Sequence, residues 1–439
     1  GTKEEIIEWK RTATLLHSEN VRRKTKRIQF AQLMWMTRKF KDEKAIYFPH
    51  TLDFRGRMYA NTAFLNPQGE DTAKGLLEFS TGKAMGASGL AWLKVHISNS
   101  WGFDKASLED RVEWTDDNEE MIMRVGIDPL ASREWMEADK PWQFLRSCFE
   151  YVCCNNNENY VSHLPVTVDG SCNGLQHFSA MLRDDIGGAA TNLINHEQPE
   201  DIYEIVRREA ENGMVLDNNP EFNIWGSGGC LSRALVKRPV MTTPYGATLY
   251  GMRDQIHEEL KKQLDKGVVF PGIDSSSDMW PHCKYLAFHI YEAIGRVVIS
   301  SRLGMKWLQD VAKASNKLKR PIYWSLPTGF VVKQKYIRSI VKEIKTIING
   351  RMASLYAGSS DAEKMHSFRQ VNGIAPNFVH SLDACHLMKT IVSARDNHGI
   401  ESYAVVHDSF GTHACDIEQL GTVLRETFVE IYKEDILKK

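Results

Sequence analysis

Two apolar runs of β-forming residues each deliver an aspartate into a polar turn, and they stand far apart in the chain. The first, Tyr160-Val161-Ser162-His163-Leu164-Pro165-Val166-Thr167-Val168, runs into Asp169-Gly170-Ser171. The second, Tyr403-Ala404-Val405-Val406, runs into His407-Asp408-Ser409. Their β-branched content predicts strands. Between them the chain predicts helices over 200–212, 250–266, 284–318 and 333–350, a loop over 213–230, and a hairpin around Pro327-Thr328-Gly329-Phe330. Ahead of them it predicts helix over 3–40 and 86–150, with short extended segments at Ile46-Tyr47-Phe48-Pro49 and Arg57-Met58-Tyr59-Ala60. Strands at both ends of a long helical insertion make the fold class α+β.

A carboxylate at the end of an apolar strand is costly unless it is paired, hydrogen-bonded or metal-bound. One such aspartate is usually a turn starter or a helix cap. Two of them, on strands able to lie side by side, suggest a site for two Mg²⁺ ions, which take oxygen ligands and clamp the reacting oxygens of a phosphoryl transfer. A cationic complement lies at Arg233 and Lys237, four apart and so on one face of a helix. Tyr245 follows eight residues later, but Pro239 and Pro244 predict a helix that bends or ends near Val240.

Composition limits the alternatives. With 55 Lys and Arg against 56 Asp and Glu, the net charge of −1 excludes a uniformly basic, histone-like protein. A basic groove offset elsewhere remains compatible with nucleic acid. The run Arg22-Arg23-Lys24-Thr25-Lys26-Arg27 reads first as a solvated helix face, and second as a phosphate contact. No apolar run reaches the ~20 residues of a membrane span. The 8 cysteines form no CxxC pair, which points to reduced thiols rather than a disulfide framework or zinc knuckle.

Six segments, in order, carry a resemblance that covers nearly the whole chain. They are Asp53-Phe54-Arg55-Gly56-Arg57-Met58-Tyr59, Asn66-Pro67-Gln68-Gly69, Asp169-Gly170-Ser171-Cys172-Asn173-Gly174-Leu175-Gln176-His177, Arg233 through Lys237-Arg238 to Tyr245-Gly246, Pro376-Asn377-Phe378-Val379-His380-Ser381, and His407-Asp408-Ser409-Phe410-Gly411. The third, fourth and sixth resemble motifs A, B and C of the single-subunit DNA-directed RNA polymerases of phages and mitochondria.

The resemblance implies a right-hand fold of palm, fingers and thumb. Residues 1–43 would be a helical thumb remnant, 44–197 the first part of the palm with a helical insertion at about 82–159, 198–380 the fingers, and 381–439 the second part of the palm. Asp169 and Asp408, with the carbonyl of Gly170, would hold two Mg²⁺ ions. Lys237 would contact the triphosphate and protonate pyrophosphate, and Arg233 would bind phosphate oxygens. Lys105 and Tyr203 resemble further triphosphate contacts. Arg55, Arg57, Lys74 and His407 would face nucleic acid. Tyr245 and His380 resemble the residues that sense a ribose 2′-hydroxyl. Related DNA polymerases place a bulky Glu shortly after the motif A aspartate, where this chain has Gly170 and Ser171. Ribonucleotides are therefore expected over deoxyribonucleotides.

The implied partners are a DNA template, an RNA transcript and NTPs, with no membrane. Family members are usually longer, which fits an engineered or partial sequence as well as a polymerase split into two chains; the split is the preferred expectation, with a second polymerase subunit supplying the N-terminal part. The implied compartment is the cytoplasm of a phage-infected bacterial host rather than a mitochondrion. Two alternatives are a DNA polymerase or reverse transcriptase of the same architecture, and a catalytically inactive nucleic-acid-binding relative. The second would have lost Asp169, Asp408 or Lys237, and all three are present.

Overall fold

The computed structural model describes residues 2–438 apart from 156, 158, 197, 218, 227, 228, 275–277 and 349. Walking the chain, the elements are α1 (Lys3–Phe40), β1 (His50–Leu52), β2 (Met58–Ala60), α2 (Asp71–Leu76), β3 (Lys83–Ala84), α3 (Gly86–Trp101), α4 (Leu108–Asp117), α5 (Glu119–Ile127), α6 (Pro141–Cys154), β4 (Val161–Ser162), β5 (Pro165–Asp169), α7 (Asn173–Leu182) and α8 (Asp185–Ala190). There follow α9 (Ile202–Val215), α10 (Phe222–Trp225), α11 (Arg233–Thr242), α12 (Leu249–Asp265), α13 (Trp280–Val297), α14 (Ile299–Lys317), β6 (Ile322–Ser325), β7 (Val331–Gln334), β8 (Ile337–Ile348), β9 (Arg351–Met365), α15 (Ser367–His398), β10 (Ser409–His413) and α16 (Ile417–Tyr432). The class is α+β, and the described strands form two-stranded sheets: β1 with β2, β3 with β4, β5 with β10, β6 with β7, and β8 with β9.

Local chemistry explains many boundaries. Ser107 and Asp110 form a reciprocal capping box at the start of α4. Asp201 caps α9 by accepting the Tyr203 N–H at 3.0 Å, and Thr248 caps α12 by accepting the Gly251 N–H at 3.2 Å. Pro141 opens α6 at a position where a missing N–H costs nothing. The hairpin expected at Pro327 to Phe330 forms as β6–β7, with Ile322 opposite Gln334 and Ser325 opposite Val331.

Five expectations need correction. The helix expected over 333–350 is a strand, β8, paired with β9 from Ile348↔Arg351 outward. Ile337, Ile340, Val341, Ile344, Ile347 and Ile348 do recur at helical spacing, but they are β-branched, and Asn349-Gly350 forms the two-residue hairpin signal that ends the run. Gly350 has φ +75°, the left-handed region that favours glycine. The single helix expected over 284–318 is two, because buried Val298 leaves the helical region at φ −123° and ψ 58°. The strand expected at 403–406 is displaced to β10, beyond Asp408, with only a single bridge between Val406 and Ser409. The extended segment at 46–49 precedes its strand, which is β1. The loop expected over 213–230 includes 218, 227 and 228, outside the described residues; of the rest, α9 runs on to Val215 and Phe222–Trp225 is helical.

The chain divides into two compact units. One comprises 1–51, 58–168 and 398–421; the other comprises 52–57, 169–397 and 422–439. Among the described residues, two apolar cores stand out in the second unit. In one, α9, α11, α12 and α13 meet through Val206, Leu235, Val236, Ile256 and Ile290. In the other, α7, α14 and α15 meet β6–β7 through Phe178, Leu308, Val332, Val379 and Leu382. In the first unit, α1 packs Leu33 against Leu65 and Ala73. The basic run of α1 is solvent-exposed, and Arg23 pairs with Glu19 one turn earlier. No helix among the described residues is long and apolar enough to cross a membrane.

Candidate active site

In the first unit, Val406 and Ser409 exchange two N–H···O bonds of 2.9 Å, which leaves His407 and Asp408 as the tip of a tight turn. His407 takes the left-handed conformation at φ +54° that this turn needs. Its ring meets Tyr59 edge-on, with centroids 5.0 Å apart. Asp408 therefore stands immediately before β10. That strand hydrogen-bonds to β5, whose last residue is Asp169. The two strands that deliver the aspartates are thus neighbours.

The other two predicted residues of this unit lie apart in chemistry. Lys74, on the last turn of α2, lines a cavity of about 50 Å³ with Arg146, Gln143, Thr167, Val406 and Ser409. Lys105 is exposed on the turn after α3 and pairs with Asp104 at 2.8 Å.

In the second unit, a single carboxylate organises the segment Asp53 to Arg57. Asp53 Oδ1 accepts the backbone N–H of Arg55 at 2.8 Å and of Arg57 at 3.1 Å. Its Oδ2 accepts Arg55 Nε at 2.9 Å and Nη2 at 2.6 Å. The remaining arm of Arg55, Nη1, lies 2.8 Å from His380 Nδ1. The His380 ring sits 4.6 Å from the Tyr245 ring, tilted by 44°. The structure thus brings Arg55, His380 and Tyr245 together.

Arg57 turns to α15 instead. Its guanidinium donates twice to Asp383, whose Oδ2 also accepts Asn173 Nδ2 at 3.2 Å. Asn173 opens α7, directly after the Asp169-Gly170-Ser171-Cys172 segment. Next to it, Gly174 allows the close approach of the turn that carries Tyr245: a Cβ there would lie 2.8 Å from Pro244 Cβ and 3.3 Å from a Tyr245 ring carbon.

α11 runs through buried Pro239 to Thr242 and ends in a 3₁₀ turn over Thr243–Tyr245, two residues beyond the expected bend. The hydroxyls of Thr242 and Thr243 cover the carbonyls of Arg238 and Pro239 at 2.9 Å each. Lys237 projects from this helix and is exposed. Arg233, one turn earlier, is ion-paired with Asp201 and lies over the Tyr203 ring, 4.8 Å from its centroid. Burial pushes the Tyr203 phenol up, reinforced by the neighbouring Cys172 thiol. Asp53 and Asn173 lie inside the six segments without an assigned role, and Asp201 and Asp383 lie outside them.

Behind α7 lies a buried imidazole pair. His177 Nδ1 is 2.5 Å from the Tyr432 hydroxyl, and its Nε2 is buried with no hydrogen-bond partner. His386 Nε2 bonds the Leu424 carbonyl at 2.9 Å. Burial holds the His177 imidazole well below its ordinary pKa and pushes His386 down to about 4. Among the described residues, no three His, Cys, Asp or Glu side chains cluster as a metal-binding group.

Comparison with known proteins gives one answer. The family model described as DNA-dependent RNA polymerase matches residues 83–439. T7 RNA polymerase of Escherichia phage T7 is 36% identical over 99% of this chain and 53% of its own length. A mitochondrial DNA-directed RNA polymerase 1B of Nicotiana tabacum is 37% identical over 99% of this chain and 43% of its own length. The DNA-directed RNA polymerase of Enterobacteria phage T3 is 35% identical over 98% of this chain and 53% of its own length. The chain spans about half the length of these relatives, and each match falls within one longer chain, which lends the expected second subunit no support. The matched family model covers most of the residues whose geometry is described above, and the chain belongs to the DNA-dependent RNA polymerase family.

Proposed function

We propose that this chain is the catalytic part of a DNA-directed RNA polymerase. In this reading it extends an RNA 3′ end with NTPs on a DNA template. The observation that carries the reading is the pairing of β5 with β10, since one strand ends at Asp169 and the other begins directly after Asp408. The palm would include these strands, the fingers the helices from α9 to α14, and the thumb remnant α1. The same reading carries the expectation of a phage-infected bacterial cytoplasm.

Asp169, Asp408 and the Gly170 carbonyl would supply oxygen donors only, a chemistry that suits Mg²⁺. When bound, two such ions would lower the pKa of the 3′-hydroxyl and offset the charge of the leaving pyrophosphate. Lys237 protonates pyrophosphate in this scheme. Arg233 exchanges Asp201 for triphosphate oxygens, with Tyr203 supporting its guanidinium plane. Lys105 adds a further triphosphate contact. Arg55, Arg57, Lys74 and His407 contact nucleic acid. Tyr245 and His380 read the ribose 2′-hydroxyl.

Primer extension tests this. A short RNA annealed to single-stranded DNA is supplied with Mg²⁺ and either NTPs or dNTPs. Extension with NTPs alone, lost in Asp408→Asn, is the expected result. Equal use of dNTPs would favour a DNA polymerase, and no extension under any condition would leave an inactive binding relative.

A further inference from the structure

A guanidinium has five N–H donors and no acceptor. The 2.8 Å contact between Arg55 Nη1 and His380 Nδ1 therefore makes Nδ1 the acceptor. A neutral imidazole whose Nδ1 accepts carries its proton on Nε2. The donor is not a roaming surface arginine. Asp53 grips two of its nitrogens, at 2.9 and 2.6 Å, and ties down the turn that carries it through two backbone N–H groups. The segment and the helix that bears His380 are 325 positions apart in the chain, so this geometry is a product of folding alone. Tyr245 packs on the same imidazole.

We infer that Arg55, braced by Asp53, is a positioning residue that holds His380 as the Nε2–H tautomer, so that the ring offers a hydrogen-bond donor to the 2′-hydroxyl of the incoming ribose. The sugar half of this inference rests on the RNA polymerase reading; the tautomer does not. A site that donates to a hydroxyl disfavours the analogue lacking it, because the donor is left without that partner. Without Arg55, Nδ1 loses the donor that keeps it unprotonated, and the Nε2–H form is presented in a smaller share of the molecules.

Two measurements on the full chain test this. In ¹⁵N-histidine-labelled protein, with His380 assigned by its loss in His380→Gln, the expected spectrum shows a protonated Nε2 and an unprotonated Nδ1. Arg55→Met, similar in length but without a donor, should lose this bias, and Arg55→Lys should keep it. In primer extension, the ratio of kcat/KM for an NTP to that for its dNTP should fall about twofold in Arg55→Met, as for a donor present in half of the molecules, and recover in Arg55→Lys. In a His380→Ala background, Arg55→Met should change the ratio no further. A protonated Nδ1 in the parent overturns the inference even if extension is normal. So does an Arg55→Met enzyme that loses NTP and dNTP use equally, or one whose ratio still falls without His380. A parent that extends with neither nucleotide instead sinks the polymerase reading, and the sugar role with it.

Discussion

Arg57 and Asp383 stand 326 positions apart in the chain and form an ion pair in which the arginine side chain is 13% exposed and the aspartate 2%. The same carboxylate takes the Asn173 amide. The pair therefore joins the Asp53 to Arg57 turn, the start of α7 and the middle of α15 at one buried point. A charge held this far from water depends on its partner, and removing one partner leaves the other uncompensated.

Asp383→Ala should cost about 3 kcal/mol in chemical denaturation, and Asp383→Asn less, because the amide still accepts one Arg57 bond. A loss under about 1 kcal/mol in Asp383→Ala would show that Arg57 finds water or another carboxylate.

Gly174→Ala should displace the Pro244–Tyr245 turn. The new methyl would meet Pro244 at 2.8 Å, closer than packed carbons tolerate. We expect a destabilisation of about 1–3 kcal/mol, together with reduced discrimination between NTPs and dNTPs, since Tyr245 moves with the turn. Unchanged stability and unchanged discrimination would mean that the turn shifts without consequence.

The buried imidazoles predict an acid limit. His386 is pushed down to about 4 and His177 is also lowered, so the unfolded chain binds protons that the native one refuses. Their contribution is fully present above the unfolded histidine value of about 6.5 and is lost as pH falls from there toward 4. His386→Gln should flatten the fall in denaturation midpoint between pH 6.5 and about 4.5. A parallel pair of curves for parent and variant would assign the acid sensitivity to other groups.

The β8–β9 hairpin should be dispensable for stability. Ile340, Val341, Ile344, Ile347, Met352 and Tyr356 are all exposed on it. Replacing 340–358 by Asn-Gly should leave the denaturation midpoint within about 1 kcal/mol of the parent, since surface changes away from packed features cost little. A larger loss would show that the hairpin is braced by contacts its exposure does not suggest.

The sequence by itself determined the α+β class, α1, α9 and α12 within a few residues, and the β6–β7 hairpin. These features rest on local chemistry: capping side chains, proline and glycine positions, and apolar periodicity. Periodicity failed at 333–350, where a helical spacing of Ile and Val was overruled by β-branching and pairing with β9. Tertiary structure alone decided the partners. Nothing near Arg55 or Arg57 in the chain announces His380 or Asp383, and nothing near Arg233 marks Asp201 as its counter-ion. The physical reason is that a buried charge or imidazole must be satisfied by whatever group the fold brings to it. That choice is made by packing across hundreds of residues, which no local spacing encodes.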